Sequence, residues 1–168
     1  MLNSDRAHNA TIERFMLDNS NLINMYCGQM SVFREGFYEY INRDNPALGE
    51  RIKEQVKKSL QDFINKPEAV LNIYFEKFDN TYLEDLIDED LFKKGMKQKK
   101  IRLFKLDDRL FLKSGIAHTS ITDSNIIRVE RNPEMHEAIC AINASEDLIS
   151  PVKETFAIME SVREEVII

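Results

Sequence analysis

Glu68-Ala69-Val70-Leu71-Asn72-Ile73-Tyr74-Phe75 is the stretch on which the fold turns. Val70, Leu71, Ile73, Tyr74 and Phe75 leave no room for the apolar–polar alternation of a half-solvated strand. Such a run suits a strand covered on both faces, as in a parallel sheet. Parallel neighbours need long crossovers, usually helices, and the sequence supplies one on each side. Upstream, Ile52, Val56, Leu60, Phe63 and Ile64 share one face of a helix predicted over 48–65, with Pro46 in the loop before it and Pro67 closing it. Downstream, Asp79 or Asn80 can cap a helix over 82–98. Its first half holds Glu84, Asp85, Asp88, Glu89 and Asp90 and its end Lys93, Lys94 and Lys97, a polarity that suits the helix dipole.

The pattern continues outward. Residues 22–26 are short and apolar, with Gly28 just beyond, and predict a buried strand. Ser31 can cap a helix over 32–42 striped by Phe33, Phe37, Tyr40 and Ile41, with Glu35 just past the position that would complete a capping box. Ile12, Phe15 and Met16 predict a helix over 9–18, so that 1–19 is an N-terminal helical segment stopped by Asn19-Ser20-Asn21. Beyond the central run, strands are expected over 101–106, 109–113, 116–122 and 126–131. A helix then opens at Pro133 and runs through 143, and another runs from about Pro151 to 166. The expected fold is α/β (α+β mixed), a mixed sheet flanked by helices with an antiparallel meander in the C-terminal half. Five Gly and four Pro punctuate 168 residues sparsely, which supports one domain over 1–168.

Hydrophobic residues make up 43% and charged residues 31%, enough apolar content to exclude a disordered chain. Lys plus Arg is 23 against 29 for Asp plus Glu, a net −6, so coating of nucleic acid by a basic surface is disfavoured. Cys27 and Cys140 are too few for a disulfide framework or a cysteine zinc site. No metal and no cofactor is expected. The first residues lack the apolar run of a signal peptide, and no stretch approaches the roughly 20 apolar residues that span a bilayer. The expected location is the cytoplasm.

Chemistry concentrates in His118-Thr119-Ser120-Ile121-Thr122-Asp123-Ser124-Asn125-Ile126-Ile127-Arg128-Val129-Glu130. If Asp123-Ser124-Asn125 is a three-residue hairpin loop, Thr122 faces Ile126, Ser120 faces Arg128 and His118 faces Glu130. Alternation then places His118, Ser120, Arg128 and Glu130 on one side and Ile121, Ile127 and Val129 on the other. Opposed β-carbons lie roughly 5 Å apart, so the carboxylate can orient the imidazole and raise its pKa for acid–base or nucleophilic work. The competing reading is a solvated face of opposite charges that contribute little.

The layout resembles one lobe of the phospholipase D-like fold. The strand ending in Cys27-Gly28-Gln29-Met30-Ser31, the helix pair, the strand Val70-Leu71-Asn72-Ile73-Tyr74-Phe75, the next helix, the strand Ile101-Arg102-Leu103-Phe104 and the His118 hairpin carry the likeness, from about residue 20 onward. The family signature is His-x-Lys followed four residues later by Asp, supplied twice by two lobes or two subunits. One His attacks phosphorus, the other acts as acid, and the Lys residues hold phosphate oxygens. His118 matches. Ser120 stands in the place of the Lys, and Asp123 falls two residues early. The resemblance therefore implies a non-catalytic binding or regulatory module that recognises a protein or other ligand, with Ser120 and Asp123 as ligand-binding candidates. The alternative is a phosphodiesterase or nuclease using His118, oriented by Glu130, with Arg128 on the phosphate, in a site completed by a homodimer.

Other features carry blander readings. Lys93, Lys94, Lys97, Lys99, Lys100 and Arg102 either form a phosphate patch or complement a helix end, and the second is favoured. Gly28-Gln29-Met30-Ser31 suits a tight turn better than an anion loop. His8 and His136 lack spaced metal-ligand partners. Val152, Phe156, Met159, Val162 and Val166 form a stripe that packs on the domain or on a second copy.

Overall fold

A computed structural model describes residues 2–3, 6–106, 117–132 and 137–166. The strand expected over 109–113 and His136 lie outside the described residues. Five α-helices occur among them: α1 (Arg6–Asn19), α2 (Glu35–Asp44), α3 (Pro46–Asn65), α4 (Glu89–Lys97) and α5 (Glu146–Val162). Eight strands, β1 (Leu2–Asn3), β2 (Leu22–Cys27), β3 (Val70–Phe75), β4 (Ile101–Leu106), β5 (Thr119–Thr122), β6 (Ile127–Asn132), β7 (Glu137–Ala141) and β8 (Arg163–Glu165), form one sheet. Their spatial order is β1-β7-β6-β5-β2-β3-β4-β8. The centre, β2-β3-β4, is parallel, and β5-β6-β7 is an antiparallel meander joined to β2. The fold is the expected mixed α/β sheet flanked by helices.

The central run behaves as its composition demands. Leu71, Ile73 and Phe75 enter a core with Val56, Leu60 and Phe63 of α3. Tyr74 enters a second core on the opposite face with Phe104, Ile149, Phe156 and Met159. Helices α1–α4 thus cover one face and α5 the other. Lys66 fixes the end of α1, donating from Nζ to the carbonyls of Leu17 and Ser20 at 2.8 Å each. These late carbonyls have no partner within the helix, so a cation there is favourable twice over.

Several boundaries differ from expectation. Asn45, not a residue near 48, starts α3: its side chain accepts from the Leu48 N–H, and Pro46 sits in the first turn, where its missing N–H costs nothing. Ser31 does not cap a long helix. Ser31–Phe33 is a 3₁₀ turn preceded by Met30 in the left-handed region (φ 44°), and α2 begins only after extended Arg34. The helix expected over 82–98 forms only from Asp88 onward, where the Asp88 side chain accepts from the Leu91 N–H. Its first half is instead a 3₁₀ turn at Asn80–Leu83 and an extended bridge between Leu86 and Arg34.

The largest correction concerns 133–143, where no helix forms over the described residues: Glu137–Ala141 is strand β7. Ala138 and Cys140 are buried and Ile139 is exposed, a period of two. Pairing with both β6 and β1 outweighs the helix propensity of Glu-Ala. The N-terminal segment is likewise not only helical, since Leu2–Asn3 pairs with β7. At the other end the last helix stops at Val162, and Arg163–Glu165 turns back as β8 beside β4.

Candidate functional site

The hairpin forms in the expected register. Thr119, Ser120 and Ile121 pair with Val129, Arg128 and Ile127, and the Glu130 N–H donates to the His118 carbonyl at 2.8 Å. Asn125 adopts a left-handed conformation (φ 57°), which closes a three-residue hairpin loop. Ile121 and Ile127 enter the α5-side core. His118, Ser120, Arg128 and Glu130 share the opposite side with α1, and all four line one cleft of about 430 Å³.

Three acidic and two basic side chains meet there. Glu130 bridges two partners: Oε2 lies 2.9 Å from His118 Nδ1 and Oε1 accepts from Arg128 Nη2 at 3.3 Å. His118 Nε2 lies 3.3 Å from Glu76 Oε2, just past the C-terminal end of β3. Arg128 donates through Nε and Nη2 to Asn9 Oδ1 at 3.0 and 2.7 Å. Its Nε is also 3.9 Å from Glu13 Oε1, and the Ser120 hydroxyl donates to that same oxygen at 3.3 Å. Helix α1 therefore seals Ser120, Arg128 and Glu130, all of them buried, while the His118 side chain keeps 21% of its surface at the mouth.

The electrostatics follow from these contacts. The hydrogen bond to Glu130 raises the His118 pKa above its ordinary 6.5 against the opposing effect of burial, and Glu76 adds to it. Burial pushes Glu130 up, but His118 and Arg128 outweigh it and hold the carboxyl below its ordinary value. Burial wins at Glu13, whose pKa is raised despite Arg128 and Ser120. The protonated imidazole then stabilises the fold fully below about 6.5, and that stabilisation fades as pH rises through the raised pKa. Glu130 contributes above its unfolded value and loses that contribution as pH falls through its depressed one. An NMR titration of the imidazole is expected to show a midpoint above 6.5 that drops in Glu130→Gln. A midpoint indifferent to Glu130→Gln would mean that the contact is not formed in solution.

Gly28 completes the wall. A β-carbon there would sit 3.2 Å from His118 Cε1, so the glycine lets the ring lie close over the turn after β2. The edge of Tyr26 meets the same ring, with centroids 5.7 Å apart. Cys27 also lines the cleft, but burial pushes its thiol up to about 12, which leaves it a poor nucleophile at neutral pH. Among the described residues no group of three or more His, Cys, Asp or Glu is placed to hold a metal ion.

Asp123 does not join this cluster. It sits at the hairpin turn and accepts from the Asn21 N–H at 3.0 Å, so it ties the turn to the segment between α1 and β2. Asn9, Glu13 and Glu76 join it although the sequence marks none of them as a site residue; Asn9 reads there as a helix cap but lies inside α1. Asn9 and Glu13 are one helical turn apart on α1, a spacing that aims two polar groups at one place. Glu76 follows a parallel strand, the position from which open α/β sheets present ligand groups.

No family model, curated protein or solved structure matches the chain.

Among the described residues no helix is long and apolar enough to cross a membrane.

Proposed function

We propose that this chain is a binding or regulatory module built on a phospholipase D-like lobe, with its ligand entering the His118 cleft rather than being hydrolysed there. The cleft opens beside the C-terminal ends of the parallel strands β2 and β3, and β5 flanks β2 on its other side. That is the crevice where open α/β sheets bind ligands.

One observation carries the preference for binding over hydrolysis: each ring nitrogen of His118 faces a carboxylate. A nucleophilic histidine needs an unprotonated nitrogen aimed at phosphorus, whereas a ring with a carboxylate at each nitrogen aims neither of them at a substrate. Arg128 is a poor substitute for the missing Lys, because it is buried and its Nε and Nη2 donate to Asn9 and Glu130. Ser120 is committed to Glu13. The polar side of the hairpin lies under α1, so recognition belongs to the cleft mouth rather than to an open meander face.

The resemblance also implies a homodimer, and two thiols outside any disulfide suit a cytoplasmic setting. Hydrolysis of bis(p-nitrophenyl) phosphate by the wild type and by His118→Ala tests the reading, with sedimentation velocity on the same preparations. Both proteins are expected to match the buffer blank. Turnover by the wild type that disappears in His118→Ala would establish the phosphodiesterase alternative instead.

A further inference from the structure

We propose that the groove between α4 and the β4–β8 edge docks an acidic amphipathic segment of a partner protein. The groove has a volume of about 780 Å³, and Leu83, Leu86, Phe92, Met96, Ile101 and Leu103 supply its floor. Leu83, Leu86 and Met96 are only half-buried, so a cover over them would remove further apolar surface from water.

Charge selects the occupant. Four cations, Lys93, Lys97, Lys99 and Arg102, rim the groove and outnumber its three acids, Glu84, Glu89 and Glu165. Lys93 is neutralised by Glu89 at 2.6 Å, and Arg102 by a two-pronged contact with Glu165. Lys97 and Lys99 are exposed and form no salt bridge with a described residue. Lys99 acts on Glu165 only through space, so exposed positive charge beside an apolar floor, on a chain of net charge −6, complements a segment with one apolar face and acidic flanks. Nucleic acid would satisfy the lysines but would leave the floor uncovered.

Backbone geometry points the same way. Lys99 ends α4 in a left-handed conformation (φ 56°). Its N–H donates to the Met96 carbonyl and the Lys100 N–H donates to the Gly95 carbonyl, a Schellman ending in which this position ordinarily belongs to glycine. A lysine there is retained at a cost in stability, which suits a charge needed at the rim.

The test uses the full chain and a fluorescein-labelled synthetic helix with leucine at i, i+3, i+4 and i+7 and glutamate beside them. A twin carries lysine in place of every glutamate. Fluorescence anisotropy is expected to show the acidic probe bound at least about tenfold more tightly than its twin, and lost in Met96→Asp. Lys99→Gly should raise the thermal midpoint yet weaken the probe about threefold, a pairing that a purely structural lysine would not give. Equal binding of the twins, absence of binding, or binding retained in Met96→Asp would overturn the proposal. So would probe binding that emerges only when residues 167–168 are removed, which would make the chain's own end the occupant. A dimer in sedimentation that Met96→Asp disperses would assign the groove to a second copy and overturn it equally.

Discussion

Arg128→Ala lowers the stability of the fold by about 3–5 kcal/mol, the loss expected when one member of a buried ionic network is deleted. Arg128 is 9% exposed, and its guanidinium is the cation between Glu13 and Glu130, which are themselves buried. Without it, two carboxyls remain in a poorly solvated site and Asn9 Oδ1 loses the two N–H donors of Arg128. The variant should respond with raised carboxyl pKa values and a urea midpoint that recovers as pH falls, because protonation relieves the repulsion. Glu13→Gln and Glu130→Gln added to Arg128→Met should restore most of the loss, since neutral groups of similar shape need no counter-charge. Urea melts of the three proteins at neutral and acid pH decide the matter. A loss below about 1 kcal/mol in Arg128→Ala would mean that the network is solvated and not a support for the cleft.

The hairpin was legible because its information is local. Side chains alternate with a period of two, and Asp123-Ser124-Asn125 is a loop of polar turn residues, so the partner of each residue follows by counting. The meeting of His118 with Glu130 required no more than that. Asn9 and Glu13 were not legible by the same route. Their partners Arg128 and Ser120 lie more than a hundred positions away, and only the docking of α1 over β5 and β6 brings them together. The apolar stripe of α1 announced a buried face but not which strands it would cover. Glu76 was masked by its neighbour Lys77 in a segment that reads as ordinary polar loop.

The misread elements share a different cause. In 137–141 and in 82–87, local propensity favoured helix, yet the first is extended and the second is a 3₁₀ turn followed by an isolated bridge, because another segment claims their backbone groups. β7 is held between β1 and β6, and the Ile87 N–H donates to the Phe33 carbonyl at 2.9 Å. Sheet edges and cross-connections of this kind are settled by tertiary pairing. The sense of the fold survived these errors because the parallel centre depends on the run at 70–75 and on the helices flanking it, both strongly patterned.

Phe33→Ala is expected to cost about 3–5 kcal/mol, as deletion of a fully buried aromatic ring does, while Ser31→Ala two residues earlier changes stability by less than about 0.5 kcal/mol. The contrast inverts what capping rules alone suggest. Ser31 is the first residue inside the 3₁₀ turn, not its cap, and Met30 in its left-handed conformation precedes it. Phe33 is 1% exposed and meets Phe92 of α4 edge to face, with ring centroids 5.4 Å apart. Its carbonyl accepts from Ile87, and two residues on the Glu35 N–H donates to the Asp85 carbonyl at 2.9 Å. Phe33 thus anchors the turn after β2 to the segment that leads into α4. That turn, Gly28 to Val32, is one wall of the His118 cleft and lies against the imidazole. Loss of the phenyl ring should therefore loosen the wall as well as the core, and the His118 titration midpoint should move toward 6.5 as the imidazole drifts from Glu130 and Glu76, whose contacts raise it. Phe33→Leu, which keeps most of the buried volume, should retain both the stability and the raised midpoint to a greater degree. Thermal melts and imidazole titrations of the three variants make the comparison. An unshifted midpoint in a folded but destabilised Phe33→Ala would show that the cleft wall is held by the β2–β3 strand ends alone.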